Sequence, residues 1–159
     1  WVIEHPALLY VMVLAGEEIP DLLQQLASEH PATDPFLAEV NRYHRQEETR
    51  HLSFARAVLP AMWQQASRPE QAVVHRVAPL AITAMFDTLV HPGVYETVGL
   101  DGWTTWKQVR STPERVALRH RATRKVLAAL LDAGVVRAGA VPGGWQRLCG
   151  VDAGGRPAG

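Results

Sequence analysis

A single cysteine, Cys149, in 159 residues leaves no internal disulfide and fits a reducing compartment, so a cytoplasmic setting is expected. Charge of one sign is lacking too. Sixteen basic and 16 acidic side chains give a formal net charge of zero, which argues against a protein that works mainly by attraction to nucleic acid or to an anionic membrane. Long hydrophobic runs are also missing: the longest, Ala7 to Gly16, is far too short to span a bilayer and has no basic flank of the signal-peptide kind. Strand patterns are absent, because the apolar segments run at helical period and are too long. No internal repeat or low-complexity tract is evident. What remains is 47% hydrophobic side chains, enough for one core, and an all-α fold.

The helix signals follow in order. A first helix is predicted from Pro6 to about Ser28, with Pro20 interrupting its hydrogen-bond ladder and EHPATDP supplying the break. Thr33 or Asp34 can cap a second, with Pro35 in its first turn and Pro60 as a bend or stop. Ser67 and Glu70 stand at capping-box spacing before a third, buried helix broken at Pro79, on which His75 reads as structural. HPGVYETVGLDGW reads as a loop with at most one helical turn; Tyr95, Trp103 and Trp106 there are expected to pack in the core rather than to form an aromatic substrate wall. Ser111 to Glu114 announce a helix running to Gly134. Residues 1–136 therefore read as one helical domain, and 137–159, rich in Gly, Ala and Pro, as a loosely structured tail.

The chemistry is concentrated in HRQEETRH, residues 44–51. His44, Glu48 and His51 stand at i, i+4 and i+7, so on a helix they share one face. Leu37, Val40, Phe54, Ala55, Val58 and Met62 continue that stripe, which by its period is expected to face the core. A carboxylate and two imidazoles there would cost several kcal/mol, on the order of the price of any buried polar group, unless compensated, and a metal ion is the simplest compensation. Taken singly each has a blander reading: a hydrogen-bonded core histidine, or a solvated EETR helix face. Glu47 and Arg50 fall off the stripe. Glu48 and His51 make the ExxH step that ferritin-like di-iron proteins take from two of four core helices, the other two each giving one Glu. The preceding helix carries Glu17 and Glu18 at its centre, between YVMVLA and IPDLL.

On Glu17, on HRQEETRH followed by FAR, and on the extra histidine His44 one turn before the ExxH glutamate, the chain resembles the non-haem di-iron N-oxygenases of the aminobenzoate oxygenase type. The resemblance implies a ferritin-like bundle half with additional C-terminal helices. It further implies metal-ligand roles for Glu17, His44, Glu48 and His51, Glu17 fitting the family spacing better than Glu18. Two irons activating O2 for the oxidation of an aryl amine or similar small substrate, with electrons from an external donor, are expected on the same ground. No other ExxH occurs in the chain. The remaining ligands are therefore expected from a missing N-terminal half, and a homodimer is expected.

The alternative is a non-catalytic helical module, DNA-binding through the basic helix 113–134 with Arg115, Arg119, Arg121, Arg124 and Lys125. Balanced charge and the absence of a turn-helix before these residues weigh against it.

Overall fold

The computed structural model describes residues 4–158. Eight helices follow one another along them: α1 (Pro6–Glu29), α2 (Pro35–Gln65), α3 (Arg68–Arg76), α4 (Ala78–Thr88), the single turn α5 (Gly93–Glu96), α6 (Gly102–Val109), α7 (Pro113–Asp132) and α8 (Gly143–Cys149). No strand occurs among the described residues; Val151 and Pro157 form one isolated antiparallel bridge. The expected all-α class is therefore observed.

α1 is the central element. Ala7, Leu8, Val11, Leu14, Ala15, Ile19 and Leu22 recur at helical spacing and are all buried. They pack against α2 on one side and α7 on the other, with α3 and α4 closing one end. Pro20 sits inside this continuous helix, where its missing N–H leaves the Gly16 carbonyl without its usual partner, next to Glu17. No side chain of its own caps α1. Glu70 does so from a distance, accepting from Leu8 N at 3.1 Å, so the Ser67–Glu70 pair is only half a capping box: Ser67 Oγ accepts from Glu70 N, while the Glu70 carboxylate serves another helix. Asp34 caps α2 by accepting from Phe36 N and Leu37 N, and α2 does not stop at Pro60 but continues to Gln65. Thr112 caps α7, which stops at Gly134 with φ +71°.

Three expectations are corrected. The stripe of α2 that was to face the core is half open: Ala55 is buried, but Leu37, Val40 and Phe54 are 53%, 46% and 60% exposed. The face that α1 covers is rotated from it and holds Ala38, Glu48, Leu52, Ala55 and Leu59, because no helix among the described residues lies across the other side of α2. Trp103 is likewise exposed rather than packed in the core, while Trp106 is half-buried and donates its Nε1–H to Asp87 O.

The third correction is the tail. Composition suggested a loose segment, yet α8 forms there and Trp145 is completely buried, donating Nε1–H to Val74 O at 3.1 Å. α7 grips the end of α8: Thr123 Oγ1 donates to Leu148 O, and Arg124 donates to the carbonyls of Cys149 and Gly150. One anchoring indole and the three carbonyls held by α7 outweigh the poor local propensity. Burial pushes the Cys149 thiol up to about 11, so it stays a thiol.

Gly150 ends α8 at φ +60°, and a methyl group there would collide with the His120 ring. A left-handed conformation costs a non-glycine residue about 1–2 kcal/mol before any collision. Gly150→Ala should therefore destabilise the chain by more than about 2 kcal/mol, seen as a lower urea midpoint, whereas Gly139→Ala, also at positive φ but with open space around it, should cost less. Equal midpoints for the two variants would contradict this packing.

Candidate metal centre

α1 and α2 run antiparallel, joined by the short turn 30–34, and their pairing sets Glu17 opposite the ExxH step. Ligand-type atoms of Glu17, Glu48 and His51 all lie within 4.8 Å of one another. His51 Nδ1 is 3.1 Å from Glu48 Oε2 and 3.9 Å from Glu17 Oε1. His44 stands beside this cluster rather than within it: its Nε2 is 2.9 Å from the other Glu48 oxygen, Oε1. Glu48 is thus flanked by an imidazole at each oxygen. Glu48 is buried, while His44 and His51 face outward and are more than half exposed.

The two carboxyls share a hydrogen bond, and their acidities part accordingly. Burial, with the hydrogen bond to Glu48 and its charge, pushes the Glu17 carboxyl up to about 7. Glu48 moves the other way, held down by the hydrogen bond from Glu17 against its own burial, with both histidines adding to the effect. Below about pH 7 the two acids thus share one proton, because their charges repel at this separation. A cation placed among them would do the same work better. Metal–ligand bonds of about 2 Å require donor atoms no more than about 4 Å apart, close to the present spacing, and carboxylate plus imidazole suits iron, manganese or zinc. The donor set fits a metal.

Glu18, the other half of the EE pair, points elsewhere. It is 1% exposed and paired with Arg56 and, at 4.0 Å, Lys125. One turn on, Asp21 accepts from Arg45 Nε at 2.8 Å and Lys125 Nζ at 3.0 Å. Burial works against the Asp21 charge, but the hydrogen bonds and charges of Arg45 and Lys125 together hold its carboxyl below the usual range. These groups line a cavity of about 520 Å³ between α1, α2 and α7, on the side of the α1–α2 pair away from the open α2 face. Sequence reading missed this network. Asp21 and Arg45 were within its reach, one turn from Glu17 and next to His44, but Lys125 comes from 104 residues away in the chain and carried no signal. Two other basic side chains of α7 are also engaged internally: Arg115 donates to Phe86 O and Arg124 to the α8 end. Helix 113–134 thus spends much of the charge that a DNA-binding face would need. Glu47 and Arg50 form an exposed pair with each other, off the cluster as expected. His75 Nε2 is 2.8 Å from Val135 O and the ring packs on Trp63, a structural role.

The helical architecture and the carboxylate–imidazole cluster belong to the ferritin-like class of helical proteins. Within that class the family model P-aminobenzoate N-oxygenase AurF matches residues 2–134, and the chain belongs to this family. The matched span runs from α1 through α7 and leaves α8 outside it. No curated protein matches the chain, and no solved structure does. The family is one of di-iron oxygenases. No single helix among the described residues is long and apolar enough to cross a membrane.

The weakened acidity of Glu17 has a signed consequence for the metal-free chain. The native state holds a proton on Glu17 up to about pH 7, where the unfolded chain has lost it above its ordinary 4.5. Between these values the native state binds more protons, so stability falls as pH rises. Urea midpoints of chelator-treated protein should drop between pH 5.5 and 8, and Glu17→Gln should flatten that dependence; an equal drop in the variant would show that another group is responsible.

Proposed function

We propose that this chain carries one half of a non-haem di-iron N-oxygenase centre, acting on a small aromatic amine with O2 and an external electron donor. The observation that carries the reading is the meeting of Glu17 with the HxxxExxH face of α2, in a chain that belongs to the AurF family. Glu48, with an imidazole at each oxygen, would hold the metal together with Glu17, His44 and His51. When bound, the irons would supply the redox chemistry of O2 activation. The chain's own residues hold and orient: Glu48 keeps its buried carboxylate ionised, and Glu17 gives up its shared proton when a cation replaces it.

The remaining carboxylates and histidine come from outside this chain, either from an N-terminal half of the protein or from a second copy. The open side of α2 supports this, since Leu37, Val40, Tyr43 and Phe54 flank the outward-facing His44 and His51. Helices laid across that face would cover apolar surface and deliver ligands at once. A reducing, cytoplasmic setting accords with ferrous iron and with the single buried thiol.

His44→Ala in the full-length protein should lower iron content and N-oxygenation while leaving the helical circular dichroism intact. Unchanged iron by metal analysis, with unchanged turnover, would remove His44 from the ligand set. Residues 1–159 expressed alone should bind divalent metal weakly, self-associate and show no turnover. A monomer holding two tightly bound irons would mean that the centre is complete within this chain, and two irons per dimer would mean completion by symmetry.

A further inference from the structure

We infer that Gln24 is the positioning residue of His44, its side-chain amide holding the ring at Nδ1 so that Nε2 is aimed at the Glu48 cluster, where a metal would bind. The inference rests on the reading of His44 as a ligand and concerns a residue that no motif singles out. Gln24 lies two turns after Glu17 on α1, where the antiparallel pairing sets it against His44. Its Nε2 is 2.6 Å from His44 Nδ1, while the opposite ring nitrogen, His44 Nε2, is 2.9 Å from Glu48 Oε1. The imidazole is therefore held at both nitrogens, by an amide from α1 and by a carboxylate from its own helix.

With the Gln24 amide N–H turned to the ring, a neutral His44 has one matching proton pattern. His44 Nε2–H donates to the Glu48 carboxylate, and Nδ1 accepts from the Gln24 amide N–H. That pattern leaves Gln24 Oε1 buried without a hydrogen-bond partner among the described residues, a cost of about 1–3 kcal/mol for a buried acceptor. With Nε2 given over to a cation, the single ring proton must sit on Nδ1. A half-turn of the Gln24 amide then brings Oε1 to that N–H, and the orphaned acceptor gains its donor. The ring carries one proton before and after, so the change is a tautomer shift with no net charge. An amide is suited to both states because it offers a donor and an acceptor at the same reach. Ligating histidines are commonly fixed in this way through their second nitrogen.

The test uses full-length protein stripped of metal and titrated with Zn²⁺, a diamagnetic probe, with ¹⁵N-labelled histidine reporting which nitrogen carries the proton. In the wild type, Zn²⁺ should move the His44 proton from Nε2 to Nδ1. Gln24→Leu should weaken Zn²⁺ binding about 10- to 100-fold and leave the metal-free His44 as a mixture of tautomers, with little change in the melting of the metal-free protein. Gln24→Glu, which can only accept, should keep affinity within a few-fold and favour Nδ1–H even without metal. Should Gln24→Leu not fold, Gln24→Asn, whose amide is too short to reach, must show the same loss. Wild-type Zn²⁺ affinity and tautomer in the Leu or Asn variant would overturn the inference, as would a Glu variant as weak as Leu. His44→Ala separates the two levels. If it loses Zn²⁺ affinity while the Gln24 variants do not, only the role of Gln24 fails; if it binds as the wild type does, the ligand reading of His44 fails and the role of Gln24 with it.

Discussion

Two acidic side chains meeting across one helix pair is the constraint on which the rest of this molecule depends. Glu17 and Glu48 are brought together by the antiparallel register of α1 and α2, and at neutral pH their mutual approach costs free energy unless a proton or a cation lies between them. A helix pair left to hydrophobic packing alone would slide or rotate to separate them. The structure prevents this on the far side of α1, where Glu18 pairs with Arg56 and Lys125, and Asp21 with Arg45 and Lys125. Buried ion pairs of this kind add little net stability, because desolvation offsets their attraction, but breaking one partner is expensive. Their effect is on register. Any slip that relieved Glu17 and Glu48 would strip Glu18 of Arg56 and Asp21 of Arg45.

The same logic explains why α7 lies where it does. Lys125 is the one basic side chain that reaches both buried acids of α1, so α7 is docked by charge as well as by Val126, Leu127 and Leu130. α8 is in turn held to α7 by main-chain carbonyls and to α3 through Trp145. A chain of dependence thus runs from the C-terminal segment to the carboxylate pair, through contacts that are each short in space and long in sequence.

The all-α fold and the residues that share one face of the candidate centre were legible before any coordinate, because both are written in local periods. Pro6, Asp34, Ser67 and Thr112 mark helix starts through the hydrogen-bond needs of a first turn, and each start falls where its residue says. The i, i+4, i+7 spacing put His44, Glu48 and His51 on one face without reference to any other segment. What failed depended on neighbours. The α2 stripe misread its own surroundings, since period tells which residues share a face and says nothing of whether a partner covers it. The tail failed for the converse reason: Gly and Pro content measures local propensity, and one buried indole with its partners on α3 and α7 overrode it. The pairing of Lys125 with the α1 acids and the role of Gln24 were invisible because an ordinary Lys or Gln on a helix has no pattern that names its partner; only a register between helices gives one.

That register also accounts for the two-sided character of α2. One face is apolar and covered by α1, and the next carries Leu37, Val40, Tyr43 and Phe54 into solvent around two imidazoles. Burying an apolar side chain of this size is worth about 1.5–3 kcal/mol, so a partner covering four of them would gain more than any single exposed ion pair could give. Covering the face would also withdraw His44 and His51 from water and strengthen their interaction with Glu48. Metal binding and association across α2 are then coupled, each favouring the other. The centre would come into being with the closed bundle rather than before it. On the proposed half-site reading the exposed apolar face and the ligand set would be two aspects of one feature, and the acid pair of the α1–α2 unit would be the part that assembly relieves.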